Sequence, residues 1–157
     1  MLLKLYDMEH RAVAGLKNHR DARVESALEG GDRTLYFLWH QRNRTEVPLE
    51  YYIRTDRDEY VVKENSKAAG GYRQVVARLN LEGLEGRAWR EFTAEGATAG
   101  QMAEYALSGT GWTCTSAIPG GRLRSIRMRN TSAYGIIMRI VEAFFCEVEF
   151  DTIHKTV

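Results

Sequence analysis

The chain has 157 residues, 44% of them hydrophobic, so it can bury a core and is not expected to be disordered. Its 22 lysines and arginines balance 21 aspartates and glutamates, and this formal charge of +1 argues against a nucleic-acid or membrane-surface protein. No apolar run is long enough to span a bilayer, and charge appears too early for a signal peptide, so we expect a soluble chain made in the cytoplasm.

Through the first 92 residues, apolar and polar residues alternate with a period of two, which predicts short antiparallel strands joined by polar turns. Leu35, Phe37 and Trp39 share one face of the predicted fourth strand and are candidate core residues. Glycine pairs Gly30-Gly31 and Gly70-Gly71 predict hairpin turns. The predicted strands cover residues 2–6, 12–16, 22–28, 33–41, 51–55, 59–64 and 72–81. Residues 1–92 are therefore predicted to form a mainly β, barrel-like subdomain.

Helical spacing appears in residues 93–157, which predicts a small α+β subdomain with two helices and an α+β fold for the chain. Thr98 and Gln101 have the spacing of a capping box, and a helix over residues 99–107 follows. Asn130, Thr131 or Ser132 is expected to cap the second helix, whose apolar stripe contains Ala133, Ile136, Ile137, Ile140, Val141 and Phe144. Residues 111–115 and 146–151 are predicted strands.

No motif in the sequence predicts catalysis, a metal or a cofactor. The histidines at positions 10, 19, 40 and 154 lack metal-ligand spacing, and Cys114 and Cys146 are interpreted as buried free thiols. Gly70-Gly71 and Gly120-Gly121 lack the neighbours of a phosphate-binding loop, so turns are the simpler interpretation. Carboxylate pairs are conceivable, but such spacings are common on solvated faces; these residues are Glu82, Glu85, Glu91, Glu147 and Glu149. We expect a protein that is not an enzyme.

Four arginines within eight residues form the strongest charge cluster: Arg122, Arg124, Arg127 and Arg129. In a strand, the first two share one face and the last two share the other. The favoured interpretation is a solvated edge strand whose charge blocks aggregation. The functional interpretation is an electrostatic contact with an acidic patch on a neighbouring subunit, whereas DNA contact is disfavoured by the near-neutral charge.

The three tryptophans, Trp39, Trp89 and Trp112, occupy predicted strand and turn positions. A sugar-binding protein would expose such rings as stacking platforms. Core or interface anchors are the more common use of tryptophan at such positions, and we favour that interpretation.

Several stretches, taken in order, carry a resemblance to a known family. They are Leu3-Lys4-Leu5-Tyr6-Asp7, Asp32-Arg33-Thr34-Leu35-Tyr36-Phe37, Glu50-Tyr51-Tyr52-Ile53, Leu81-Glu82-Gly83-Leu84-Glu85-Gly86, Ala106-Leu107-Ser108-Gly109-Thr110-Gly111-Trp112 and Cys146-Glu147-Val148-Glu149-Phe150-Asp151-Thr152. From Met1 to Val157 the chain resembles the N-terminal region of phage minor structural proteins, also called tail-associated lysin or tail-hub proteins.

The resemblance implies a baseplate-hub fold, in which barrel domains of three subunits form a pseudo-sixfold ring that caps the tail tube. It implies a homotrimer in the virion tail tip, synthesised in the host bacterial cytoplasm, with no cofactor and no membrane contact. The implied partners are the distal tail protein, the tail tube, and fibre or lytic domains. Family members continue past the point matching Val157, so further hub domains and any hydrolase are expected beyond this chain. The alternatives are the N-terminal part of a tail-associated peptidoglycan hydrolase and a host-receptor-binding module.

Overall fold

The computed structural model describes residues 1–26, 31–115 and 121–157 and has the α+β fold that the sequence predicts. The chain divides into two compact units, Met1–Asn80 and Leu81–Val157. This division lies twelve residues before the one predicted after residue 92. The strand Ala88–Ala97 spans residue 92 and pairs inside the second unit, so the second unit begins before residue 92.

The first unit is a curled, half-barrel antiparallel sheet of seven strands in the order β2-β1-β5-β6-β7-β4-β3. The strands are β1 Lys4–Tyr6, β2 Ala12–Gly15, β3 Arg20–Ser26, β4 Arg33–His40, β5 Tyr52–Arg54, β6 Glu59–Lys67 and β7 Tyr72–Leu79. The barrel-like prediction is confirmed, although the sheet keeps two open edges, at β2 and β3, within the described residues. The predicted end of β3 and the glycine pair's Gly30 lie outside the described residues.

The core of this unit forms where alternate side chains of adjacent strands meet. Leu35, Phe37 and Trp39 are all buried on one face of β4. Phe37 lies opposite Val75 of β7, which is also buried. Gly70 and Gly71 form a short 3-10 turn between β6 and β7 with φ values of 67° and 76°, a region that glycine adopts without strain.

The second unit contains α1 Glu82–Glu85, β8 Ala88–Ala97, α2 Ala99–Leu107, β9 Arg124–Ser132 and α3 Ala133–Phe144. Strands β8 and β9 pair as a two-stranded antiparallel sheet. The two predicted helices correspond to α2 and α3, whereas helix α1 and strand β8 were not predicted. The predicted strand at residues 111–115 is wrong: Thr113 makes only an isolated bridge to Thr156. The predicted strand at 146–151 is likewise reduced to one bridge at Asp151.

Both long helices begin at side-chain caps. The Thr98 hydroxyl accepts the Gln101 amide hydrogen at 3.3 Å and the Gln101 side chain accepts that of Thr98 at 3.0 Å, which is the predicted capping box. Of the three candidate caps for α3, Ser132 fills the role by accepting the Gly135 amide hydrogen at 3.1 Å.

The apolar stripe of α3 is buried at Ala133, Ile136, Ile137, Ile140 and Phe144. Val141, predicted to belong to the core, is only half-buried because it lies at the margin of this stripe. The stripe packs on α2 and β9. Among the described residues, no helix has the length and apolar character needed to cross a bilayer.

Candidate interaction sites

The described residues hold no group of three histidine, cysteine or acidic side chains placed to bind a metal ion. The histidines make local contacts: His19 Nδ1 lies 2.6 Å from the Leu16 carbonyl oxygen, His40 packs edge-on against Tyr72, and His154 Nδ1 lies 2.7 Å from Asp151 Oδ2.

The two cysteines, Cys114 and Cys146, are half-buried, which corrects the prediction of buried thiols. Burial raises the pKa of the Cys146 thiol, and its Sγ lies 3.8 Å from the Val141 carbonyl oxygen. A raised pKa lowers the thiolate fraction, so this environment does not activate Cys146 as a nucleophile.

The arginine cluster is divided between paired and unpaired side chains. Arg127 and Arg129 lie on β9 facing Glu91 of β8, with Nη2 to Oε1 distances of 2.7 and 3.7 Å. The hydrogen bond from Arg127 and the charges of both arginines lower the pKa of Glu91. Arg124 begins β9 and Arg122 precedes it; both are exposed, and neither has an acidic partner in the described part of the chain. These two therefore offer positive charge to an external surface.

The remaining carboxylates considered for catalysis lie on the surface. Glu82 and Glu85 are exposed on the short helix α1, and Glu147 and Glu149 are exposed after α3. Glu91 is held by two arginines, as described above. These positions do not form a buried acid beside a solvated base, which is the arrangement that acid and base catalysis by two carboxylates requires.

The tryptophans act mainly as anchors. Trp39 and Trp112 are buried, and Trp112 packs edge-on against Phe150. Trp89 is half-buried, with the Arg87 guanidinium 5.3 Å above its ring and the Tyr105 ring 5.1 Å away. Because Arg87 covers a face of the indole, Trp89 is not an open platform for stacking a sugar.

A buried acidic pair, Asp58 and Glu59, lies where strand β6 starts, with Glu59 as its first residue, and the sequence did not predict this pair. Each residue is 4% exposed. Arg33 Nη2 lies 2.9 Å from Asp58 Oδ1, and the Tyr60 hydroxyl donates to Asp58 Oδ2 at 3.2 Å. Burial and the nearby Asp58 charge raise the pKa of Tyr60, so its hydroxyl stays protonated as a donor.

Glu59 has a different set of partners. Arg54 Nε donates to its Oε2, Asn80 Nδ2 donates to its Oε1 at 2.7 Å, and His10 Nε2 lies 3.3 Å from Oε1. Burial alone raises the pKa of Glu59, but the hydrogen bonds from Arg54 and Asn80 outweigh that effect and lower it below 4.5. Through these contacts the acidic pair connects four segments of the first unit: the turn after β1, strand β4, strand β5 and the end of β7. The pair therefore stabilises the first unit instead of facing a ligand.

We expect this cluster to make the first unit sensitive to acid. A carboxylate with a lowered folded-state pKa stabilises the fold above its unfolded pKa, and that contribution is lost as pH falls toward the folded pKa. The Glu59→Gln variant should therefore have a lower melting temperature than the wild type at neutral pH, and this difference should shrink as pH falls below 4.5. Thermal melts of both proteins at a series of pH values measure the difference. Glu46→Gln, at an exposed position, is the control; a pH-independent Glu59→Gln difference contradicts the assignment.

No protein-family model matches this chain, and no curated protein matches its sequence. Solved structures do match its fold. The crystal structure of prophage tail protein gp18 from Listeria monocytogenes EGD-e has a TM-score of 0.71 and 15% identity over 90% of this chain. The tail protein from Neisseria meningitidis MC58 has a TM-score of 0.65 and 9% identity over 99% of this chain.

The chain spans about half of each matched protein, 45% of the first and 48% of the second. At such low identity, these similarities establish a shared fold. The chain therefore has a fold found in phage tail proteins.

Proposed function

We propose that this chain is a structural component of a phage or prophage tail tip: a hub or baseplate adaptor that closes the tail tube and connects it to distal fibre or lytic parts. The observation that carries the proposal is the fold shared with two tail proteins over 90% and 99% of this chain. The resemblance of its sequence to tail-hub N-terminal regions supports the narrower assignment to the hub.

On this proposal the chain has no catalytic step and needs no cofactor. It acts by rigid packing: the curled sheet and the capped helices hold a fixed shape, and neighbouring tail proteins bind to it. The placement of the candidate carboxylates on the surface or in ion pairs with arginines supports a role without chemistry. The exposed, unpaired Arg122 and Arg124 suit contact with an acidic patch on a neighbouring subunit.

The proposed assembly is a homotrimer in the virion tail tip, formed after synthesis in the host cytoplasm. Light scattering across a concentration series should give the mass of a trimer. Arg122→Glu/Arg124→Glu should weaken association at least tenfold, because two attractive contacts become repulsive. The matched control is Arg42→Glu/Arg44→Glu, which changes two exposed arginines at the same spacing. A monomer at every concentration contradicts a trimer formed by these residues.

A further inference from the structure

The two edge strands of the seven-stranded sheet differ in charge. Strand β3 carries four charged side chains, which is a common protection against pairing with another chain: Arg20, Asp21, Arg23 and Glu25. Strand β2 reads Ala-Val-Ala-Gly and carries none. Each edge strand has one register shift against its partner, so such irregularities do not distinguish the two edges. The difference in protection therefore comes from charge. The edge at β2 is therefore the less protected one.

Exposed apolar side chains occur in β2 and on both sides of its partner β1. Val13 is the extra residue of the register shift and is 49% exposed. Leu2 and Met8, which flank the neighbouring strand β1 on either side, are 55% and 64% exposed. No atom outside the neighbouring residues lies within 4 Å of the position that a Cβ on Gly15 would take, so the face of the sheet is open at this position. An incoming strand would meet exposed apolar side chains at this edge.

The backbone of β2 has hydrogen-bonding groups directed outward. The Leu16 amide donates to the Leu3 carbonyl at 2.8 Å, and Ala14 lies opposite Leu5. In an antiparallel pair, residues alternate between bonding inward and bonding outward. Gly15, between Ala14 and Leu16, therefore directs its amide and carbonyl away from β1. Within the described residues, no strand pairs with this outer side.

The charge near this edge indicates the chemistry of an occupant. Lys4 lies opposite Gly15, and Lys17 follows β2; both are exposed and have no acidic partner among the described residues. Arg11, by contrast, is paired with Asp7 at 2.7 Å and with a second carboxylate. Because glycine has no side chain, an acidic residue opposite Gly15 on an added strand faces Lys4 without obstruction.

We propose that β2 is a docking edge for an extended segment of another protein chain whose residues alternate between apolar and acidic. The segment adds a strand to the sheet, its apolar side chains continue the face of Ala14 and Leu16, and its acidic side chains meet Lys4 and Lys17. Binding at this edge depends on its backbone groups and its charge and not on the assembly to which the protein belongs. The proposal therefore goes beyond the proposed tail role.

The test uses the full chain and two labelled synthetic octapeptides, one alternating valine with glutamate and one alternating valine with lysine. Fluorescence anisotropy should detect binding of the glutamate peptide, weakened by salt, with at least tenfold weaker binding of the lysine peptide. Hydrogen exchange should show protection of the Gly15 amide on binding. Val13→Glu should weaken binding at least tenfold, whereas the matched control Leu49→Glu, at a similarly exposed apolar residue, should change it less than twofold.

Gly15→Pro removes the outward amide and should also abolish binding, with a thermal melt to verify folding. Equal binding of both peptides, or equal effects of Val13→Glu and Leu49→Glu, overturns the proposal. Self-association of the chain that Gly15→Pro abolishes would place a second copy at this edge and also overturns it. Trimer formation is tested at Arg122 and Arg124, which are not part of the β2 edge. A failure to observe the trimer therefore leaves the peptide-binding result at β2 unaffected.

Discussion

Ile140→Asp is expected to unfold the second unit. Ile140 is 4% exposed on the apolar stripe of α3, which packs on α2 and β9. A carboxylate there has no described basic partner within the stripe, and burying an unpaired charge costs several kcal/mol, a large part of the ~5–15 kcal/mol that stabilises a typical domain. Ile137→Asp, on the same stripe, should behave in the same way. Circular dichroism melts and hydrogen exchange of the α2 and α3 amides measure the loss.

The control is Arg139→Asp, which places the same side chain on the exposed face of the same helix. It removes the Arg139–Glu142 ion pair, whose exposed groups contribute little, so a loss under about 1 kcal/mol is expected. An Ile140→Asp variant that melts like the wild type would contradict the burial of Ile140 on α3.

Arg33→Met is expected to destabilise the first unit by about 3–5 kcal/mol, since removing one partner of a buried ion pair leaves the other charge uncompensated. Asp58 keeps its hydrogen bond from Tyr60, but it loses the guanidinium 2.9 Å away. Methionine retains much of the apolar length of arginine, which limits the loss of packing. Urea unfolding monitored by tryptophan fluorescence measures the change.

The double variant Arg33→Met/Asp58→Asn separates charge from packing. Removing the carboxylate charge should restore more than half of the lost stability, because no uncompensated charge then remains buried at position 58. Additive losses in the double variant contradict an electrostatic coupling between Arg33 and Asp58.

Strand β4 of the first unit follows from the sequence because its side chains are buried on one face and only half-buried on the other. In β4 the buried residues alternate regularly, and a period of two is then a direct consequence of burial. Strand β8 escaped prediction because a two-stranded sheet buries little: Phe92 is its one fully buried residue. With so few positions under constraint, the sequence carries no regular pattern.

Residues 146–151 show the opposite error. Phe150 is fully buried against Trp112 and Tyr134, whereas Glu147 is exposed, so alternation is present. Alternation indicates that one side of a segment is buried. It does not indicate that a neighbouring strand is present to form hydrogen bonds with the segment. The pairing of strands depends on distant parts of the chain, which periodicity does not encode.

The buried acidic pair was missed for a related reason. Asp58 and Glu59 adjoin a polar turn, and charged residues beside a turn are usually solvated. Their partners are Arg33 on β4 and Asn80 directly after β7, and only the register of β4, β6 and β7 brings them close. The arginine cluster was found from composition, but its division into a Glu91-bound pair and an unpaired pair required the β8–β9 register.

The strand order of the first unit has a consequence for its synthesis. Strand β7 lies between β6 and β4, so it is the one connection between the group β2-β1-β5-β6 and the hairpin β4-β3 in the described sheet. It is also the last of the seven strands to leave the ribosome. Until Leu79 has emerged, a nascent chain holds two separate sheet fragments with exposed edges, and shielding by chaperones would matter most during that interval.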